Sequence, residues 1–459
     1  MKISTNIRGR LFIMKKLWYG IAIAFILVIA IWGIIGRGGL QKTKGTDDVI
    51  TIVTWEGELI GDAADVKVTR ALREEFDRTH PNIKVIRRSA PTGEERKVFA
   101  TAMAGGTAPD LADIPGVDTR TYIEQGFADD MTDLIRDWGE IDNIYPNMLQ
   151  PVLKDGKYYG LPREYYIMLL AYRTDLFKQV GLDPQEPPAD WNEMIEYAKV
   201  LTNRAENRYG FGMMGMDFCA WHFMAGGDFM RVDPKTKVMK AIFDEKPGVT
   251  ALQFYKDLRW KHNVIQNNVL QDVKELVSDF VTGRSAMYKF YAQDMPRLLS
   301  QGLTAEQIGL APLPAGPSGK SVSQMAPRVY IINPTISPEK KRAAFEYIKY
   351  NVSKEAMIKR WKLQEKYGVL APATPIWKGL LQSEHVDFPS QWSTAIEEQS
   401  KYSRPEPFFP YWDKVKQYLV QPIQAVLLNK NADPAKEMKA CASKVQRELF
   451  DKVGPVEGF

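Results

Sequence analysis

Cysteine and histidine are scarce. The 459-residue chain holds two Cys and four His. His80, His222, His262 and His385 are isolated, and none has a second His or Cys nearby in sequence. No local metal-ligand spacing follows. Cys219 and Cys441 lie far apart and are expected as two separate buried thiols. HExxH and GxSxG are missing. "GPSGKSVS" at 316–323 comes nearest to a phosphate loop, but Pro314 stands where the first glycine belongs. No catalytic residue, metal or cofactor is therefore expected.

A basic footprint is missing too. The formal charge is +5, yet residues 1–46 carry eight Lys or Arg and no acid. Taking those eight from 61 leaves 53 bases against 56 acids in the remainder. A nucleic-acid partner needs a positive face, and none is indicated. Hydrophobic residues at 45% and charged residues at 25% are ordinary for a globular protein. The length calls for two domains or more.

One long apolar run is present. "LWYGIAIAFILVIAIWGII" fills residues 17–35 without a charge, preceded by Lys2, Arg8, Arg10, Lys15 and Lys16. Nineteen apolar residues suffice to span a bilayer, and the bases keep the N-terminus inside. We expect a transmembrane or signal helix, with residues 1–46 forming tail, span and linker. If retained, the helix anchors the rest at the outer face of the membrane. If cleaved, the chain is secreted or periplasmic.

Beyond the linker, strand and helix patterns alternate. "VITIVTW" and "IKVIRR" read as strands, and 65–79 places Val68, Leu72 and Phe76 on one helical face. "PDLADIP" reads as a short strand. Alternation of this kind argues for a parallel α/β sheet with helices on its faces. "YIMLLAY" reads as a buried strand, and "DWNEMIEYAKVLT" as a helix capped by Asp190 with Glu193 completing a capping box. Ser337 and Pro338 open another helix, and a last one is expected over 433–450. The Pro- and Gly-rich stretch 309–327 reads as an extended crossing.

The motifs also come in a telling order. "LREEFDRTHPNIKV", "GGTAPDLADIPG" and "GFADDMTDLI" are followed by "GKYYGLPREYYIMLLAYRTDLFKQVGLD" and "PPADWNEMIEYAKVLT". "FVTGRSAMYKF" and "LAPLPAGPSG" come next. Together they resemble the extracellular solute-binding proteins of bacterial ABC importers, in the sugar-binding family that includes maltose-binding protein. The resemblance implies a periplasmic-binding-protein-like α/β fold of two lobes with a cleft between them. Lobe one would hold 48–155 and 322–368, and lobe two 156–321 and 369–459, hinged near Gly156 and Ser321. Such a protein is a monomer that does no chemistry. It closes on a sugar and presents it to the transmembrane subunits of the permease.

The resemblance also assigns residues. The strand before "DLF" would deliver Tyr172 to the cleft, followed by Arg173 where an Asn is usual. The loop after the first strand would bring Trp55 and Glu56, and the "PDLADI" loop Asp113. Phe290 and Tyr291 would offer an aromatic platform. Trp221 and Trp377 are further ring candidates, and Arg163, Glu164 and Arg328 are polar ones. Rings suit the C–H face of a pyranose, and charged groups satisfy its hydroxyls. Polyols, glycerol phosphate esters and polyamines are alternative solutes. A surface glycoside hydrolase is the alternative of another class, with Glu56, Glu58, Glu164 and Asp294 as its carboxylates.

Overall fold

The computed structural model describes residues 49–56, 63–89, 95–214, 217–409 and 411–456. The apolar run at 17–35 lies outside them. Among the described residues, no helix is long and apolar enough to cross a membrane.

The chain begins with β1 (Ile50–Trp55), α1 (Ala64–Thr79), β2 (Ile83–Arg88), α2 (Glu95–Ala104), β3 (Leu111–Pro115) and α3 (Gly116–Glu124). β1 pairs in parallel with β2 and with β3, as the alternation of strand and helix requires. α1 buries Val68, Leu72 and Phe76, the predicted stripe.

β4 (Leu161–Arg173) is the long element of the fold. Its first half pairs antiparallel with β8 (Gln324–Ile332), which itself pairs antiparallel with β3. Its second half pairs antiparallel with β6 (Ser285–Tyr291) and β7 (Ile308–Ala311). β5 (Tyr209–Gly212) closes the far edge beside β6. The sheet thus runs β2-β1-β3-β8-β4-β6-β5, with β7 also on β4. The result is a curled sheet shared by two lobes, and a mixed one rather than the parallel sheet expected, because β4 and β8 run antiparallel to their neighbours through its middle. β1 to β3, β8 and the start of β4 serve lobe one, and β5 to β7 and the end of β4 serve lobe two.

Alternation along β4 feeds two cores. Tyr165, Ile167, Leu169 and Ala171 enter one cluster with Ile52, Val329 and Phe345. Met168, Leu170 and Tyr172 enter the other with Trp191, Trp221 and Val415. Neighbouring residues point to opposite faces of a strand, so β4 is buried on both sides.

Further helices cover these faces. They are α4 (Trp191–Leu201), α5 (Cys219–Met224), α6 (Lys246–Trp260), α7 (Val273–Val281), α8 (Pro338–Val352), α9 (Lys354–Lys366), α10 (Ser390–Lys401) and α11 (Trp412–Leu428). α12 (Pro434–Val445) is the last long one, and the predicted continuation to residue 450 is a π-helical turn, Gln446–Phe450. Asp190 caps α4 by accepting from the Asn192 and Glu193 amides. Glu193 reaches back to the Ala189 amide, one residue earlier than a capping box places it. Cys219 and Cys441 are free and buried.

Candidate functional site

Two strands and one irregular segment pass between the lobes. β8 begins where Gln324 and Met325 pair with Arg404 and Pro405. Farther along the same edge, Arg328 to Ile332 pair with Pro115 to Leu111 of β3. The 404–409 segment therefore crosses beside β8, next to the end of β3.

A pocket of about 280 Å³ opens against that segment. Lobe one supplies Arg120 and Gln150, lobe two Phe223, Asp228 and Met230, and the crossing Arg404, Pro405, Pro407, Phe408 and Phe409. The Arg404 guanidinium lies 4.1 Å over the Phe223 ring and 3.0 Å from the Asp228 carboxylate. The Arg120 guanidinium lies 5.4 Å from the Phe408 ring and donates to the Leu153 carbonyl at 3.3 Å. Burial pulls the Arg120 pKa below its ordinary value, against the opposing pull of Glu124 and Asp155.

A second polar group sits past the carboxyl end of β1. Asp113 on β3 accepts from Arg328 Nε at 3.0 Å, and its carbonyl accepts from Arg328 Nη2 at 2.9 Å. Arg163 Nε stands 3.2 Å from the other Asp113 oxygen, and Arg163 also pairs with Glu164. Burial disfavours the Arg163 charge, but Asp113 and Glu164 outweigh it and hold the pKa well above the ordinary value. Arg360 on α9 also faces this group. Its pKa is lowered by burial and by the like charge of Arg163, against Glu164. The Arg163 and Arg328 side chains stay 23% and 29% exposed, and Tyr166 on the same stretch of β4 is 37% exposed. In open α/β sheets, ligands gather outside the carboxyl ends of the strands, and this array lies there. Arg328 is three residues from Met325 along β8, so array and pocket are roughly 10 Å apart along that strand.

The structure thus brings Asp113, Arg163, Glu164 and Arg328 together. Glu56 is close by but taken up: Arg73 pairs with it at 2.9 Å and the Tyr347 hydroxyl donates to it at 2.5 Å. Trp55 is half-buried against Phe99.

The remaining candidates are held elsewhere. Tyr172 has no exposed surface and lies inside lobe two rather than on a cleft wall. Its ring covers Gly309, where even a Cβ would come within 2.1 Å of it, and its hydroxyl donates to the Pro184 carbonyl. Arg173 is tied to Asp175 and to the carbonyls of Phe280 and Val281. Trp221 and Phe290 sit in the cores, and Trp377 does too, donating to the Val352 carbonyl. Tyr291 differs from these: it is half-buried, bonds to Gln324 at the start of β8, and has its pKa raised by burial and by Asp217 and Glu406, the latter on the crossing segment. Sequence reasoning missed Arg120, Phe223, Arg404, Phe408 and Phe409. The one signal for them was "RPEPFFP", an aromatic and proline cluster without periodicity.

A wider groove of about 800 Å³ runs between α4 and α6, floored by stacked Trp191 and Phe254. Its lining comes from lobe two alone. The smaller pocket is preferred as the site because both lobes and a crossing segment build it. Among the described residues, no group of three or more His, Cys, Asp or Glu is placed to hold a metal ion.

Comparison with known proteins gives a consistent picture. Residues 61–358 match the family described as bacterial extracellular solute-binding protein. A protein of Brucella abortus, named only as a binding protein, is 25% identical over 281 residues. That match covers 56% of this chain and 65% of the relative, less than two thirds of its length. The sn-glycerol-3-phosphate-binding periplasmic protein of Pectobacterium atrosepticum is 25% identical over 34% of this chain and 38% of its own. A solute-binding protein from Thermotoga lettingae, solved with α-D-tagatose, superposes with a TM-score of 0.67. It is 24% identical, with 87% of this chain and 99% of that one covered. The sugar-binding protein MalE of Xanthomonas citri gives 0.74 at 18% identity, covering 88% and 98%.

Proposed function

The chain belongs to the bacterial extracellular solute-binding proteins, and from that premise we propose that it captures a sugar or polyol for an ABC importer. The solute is held in the interlobe cleft and handed, unchanged, to the transmembrane permease subunits. One observation carries this reading: the 280 Å³ pocket is walled by residues of both lobes and of the segment crossing between them. A solute there touches both lobes at once, so it favours the closed arrangement through differential contact. Aromatic rings at Phe223, Phe408 and Phe409 suit C–H faces, and guanidinium groups suit hydroxyls.

Under this proposal lobe one spans 48–155 with 322–368 and lobe two 156–321 with 369–459. The strand pairing favours placing the first crossing inside β4, where partners change from β8 to β6 between Ile167 and Met168. Residues 17–35 serve as the anchor that keeps the protein on the outer face of the membrane, or as the signal removed on export. The ionic array at Asp113, Arg163, Glu164 and Arg328 contributes polar contacts at the lobe-one side.

Calorimetric titration against monosaccharides, disaccharides and polyols tests the reading. Saturable 1:1 binding is expected, with the solute recovered intact. Turnover of a chromogenic glycoside would replace it with the hydrolase alternative.

A further inference from the structure

We propose that Asp155 isomerises to isoaspartate through a cyclic imide closed by the Gly156 amide, a covalent modification beside the pocket wall that Arg120 builds.

Asp155 is the one aspartate of the chain followed by glycine, and no asparagine precedes a glycine. The pair is the tip of a two-residue turn joining two short strands, Leu153–Lys154 and Lys157–Tyr158. Both turn residues have positive φ, 51° at Asp155 and 74° at Gly156, the type I′ pattern that Asp-Gly favours. Both are exposed. Among the described residues, no hydrogen bond or ion pair holds the Asp155 carboxylate. A Cβ added at Gly156 would meet nothing within 4 Å, so the space around the attacking nitrogen is open. The ring closes only when the turn opens, and a hairpin of two residues a strand opens readily.

The step needs no co-reactant other than water. The Gly156 nitrogen gives up its proton and attacks Cγ of Asp155. A C–N bond forms, a carboxyl C–O bond breaks, and water leaves. Water then reopens the imide. Attack at the Cγ carbonyl restores aspartate. Attack at the α-carbonyl leaves the chain running through Cγ, one backbone carbon longer and with one carboxylate retained.

The hairpin cannot slide to absorb that carbon, because its base is fixed. The Tyr158 amide donates to Thr132 Oγ1 at 2.9 Å, and the Met131 amide to the Tyr158 carbonyl at 2.8 Å. The Tyr159 amide donates to the Val152 carbonyl at 2.9 Å, and Lys157 pairs with Asp130 at 2.9 Å. Gly160 then passes so close to β8 that a Cβ would lie 2.7 Å from the Tyr330 carbonyl oxygen. The strain therefore falls on the pairing of Leu153 with Tyr158 and of Lys154 with Lys157. It reaches the Leu153 carbonyl, which accepts from Arg120 at 3.3 Å.

Ageing the full chain at pH 7.4 and 37 °C in heavy-oxygen water tests this. Cleavage at arginine releases residues 137–163, which carry Asp137 and Asp142 as internal references. Electron-transfer fragmentation separates isoaspartate from aspartate. Isoaspartate is expected at 155 at tenfold or more the level of either reference, with one heavy oxygen incorporated. Hydrogen exchange of the 153–159 amides is expected to quicken in the aged chain. Asp155→Glu, whose ring would need six members, is expected to show neither change. Isoaspartate at 155 no higher than at the references would overturn the proposal. So would an equal yield of the rearranged linkage in Asp155→Glu, or exchange of 153–159 left unchanged by the modification.

Discussion

Acidification should weaken this protein through one buried imidazole. His222 on α5 is 1% exposed, lies between the rings of Phe218 and Phe229, and bonds through Nε2 to the Asp228 carbonyl at 2.9 Å. A carbonyl only accepts, so Nε2 carries the proton. Burial pushes the His222 pKa down from 6.5 to about 4, with Asp228 pulling up and Arg404 pushing down. Above pH 6.5 the ring is neutral folded and unfolded, and contributes no pH dependence. Between 6.5 and 4 the unfolded chain takes up a proton that the folded one refuses. Stability therefore falls with pH across that window and levels off below it. Two and a half units at about 1.4 kcal/mol each give a full loss of about 3.5 kcal/mol, of which roughly 3 kcal/mol is reached by pH 4. Urea unfolding at pH 7, 6, 5 and 4 measures it, with His222→Gln as reference. Gln keeps a donor for Asp228 and does not titrate, so the background from carboxylates largely cancels. The wild-type chain should lose about 3 kcal/mol more than the variant. Parallel pH curves for the two proteins would refute the reasoning. Folded His222 stays neutral until about pH 4, so its bond to the Asp228 carbonyl, and with it the pocket, should be unchanged across that window.

Other substitutions probe the packing and the array. Gly309→Ala forces a Cβ against the buried Tyr172 ring and should cost about 1–3 kcal/mol in urea unfolding. No loss would mean the ring moves freely. Asp113→Asn leaves Arg163 and Arg328 facing each other without their shared carboxylate. It should destabilise by about 1–3 kcal/mol and weaken solute binding in calorimetry. Asp190→Ala removes the α4 cap and should cost about 1 kcal/mol, seen as a lower melting temperature with unchanged solute affinity.

Much of the fold could be read from the sequence because its local signals agree. Val68, Leu72 and Phe76 mark a helix face, Asp190 marks a helix start, and strands and helices alternate through the first lobe. The site was only partly readable. Asp113, Arg163 and Arg328 are charged residues in or beside apolar strands, and such residues need partners, so they stand out. Rings carry no such mark. Tyr172 and Tyr166 lie on one strand, and which faces water depends on strand pairing and on a glycine more than a hundred positions away. Trp221 and Trp377 were indistinguishable from cleft rings for the same reason. The 404–409 segment has no period to read, and its value comes from crossing beside β8, a property of topology alone.

The central claim is that one solute is gripped by both lobes and the crossing segment. Hydrogen-exchange mass spectrometry, with and without a saturating amount of the tightest compound from the titrations, tests it directly. The account predicts simultaneous protection in α3, in 219–230 and in 404–409. Protection confined to the groove between α4 and α6, or to a single lobe, would contradict it.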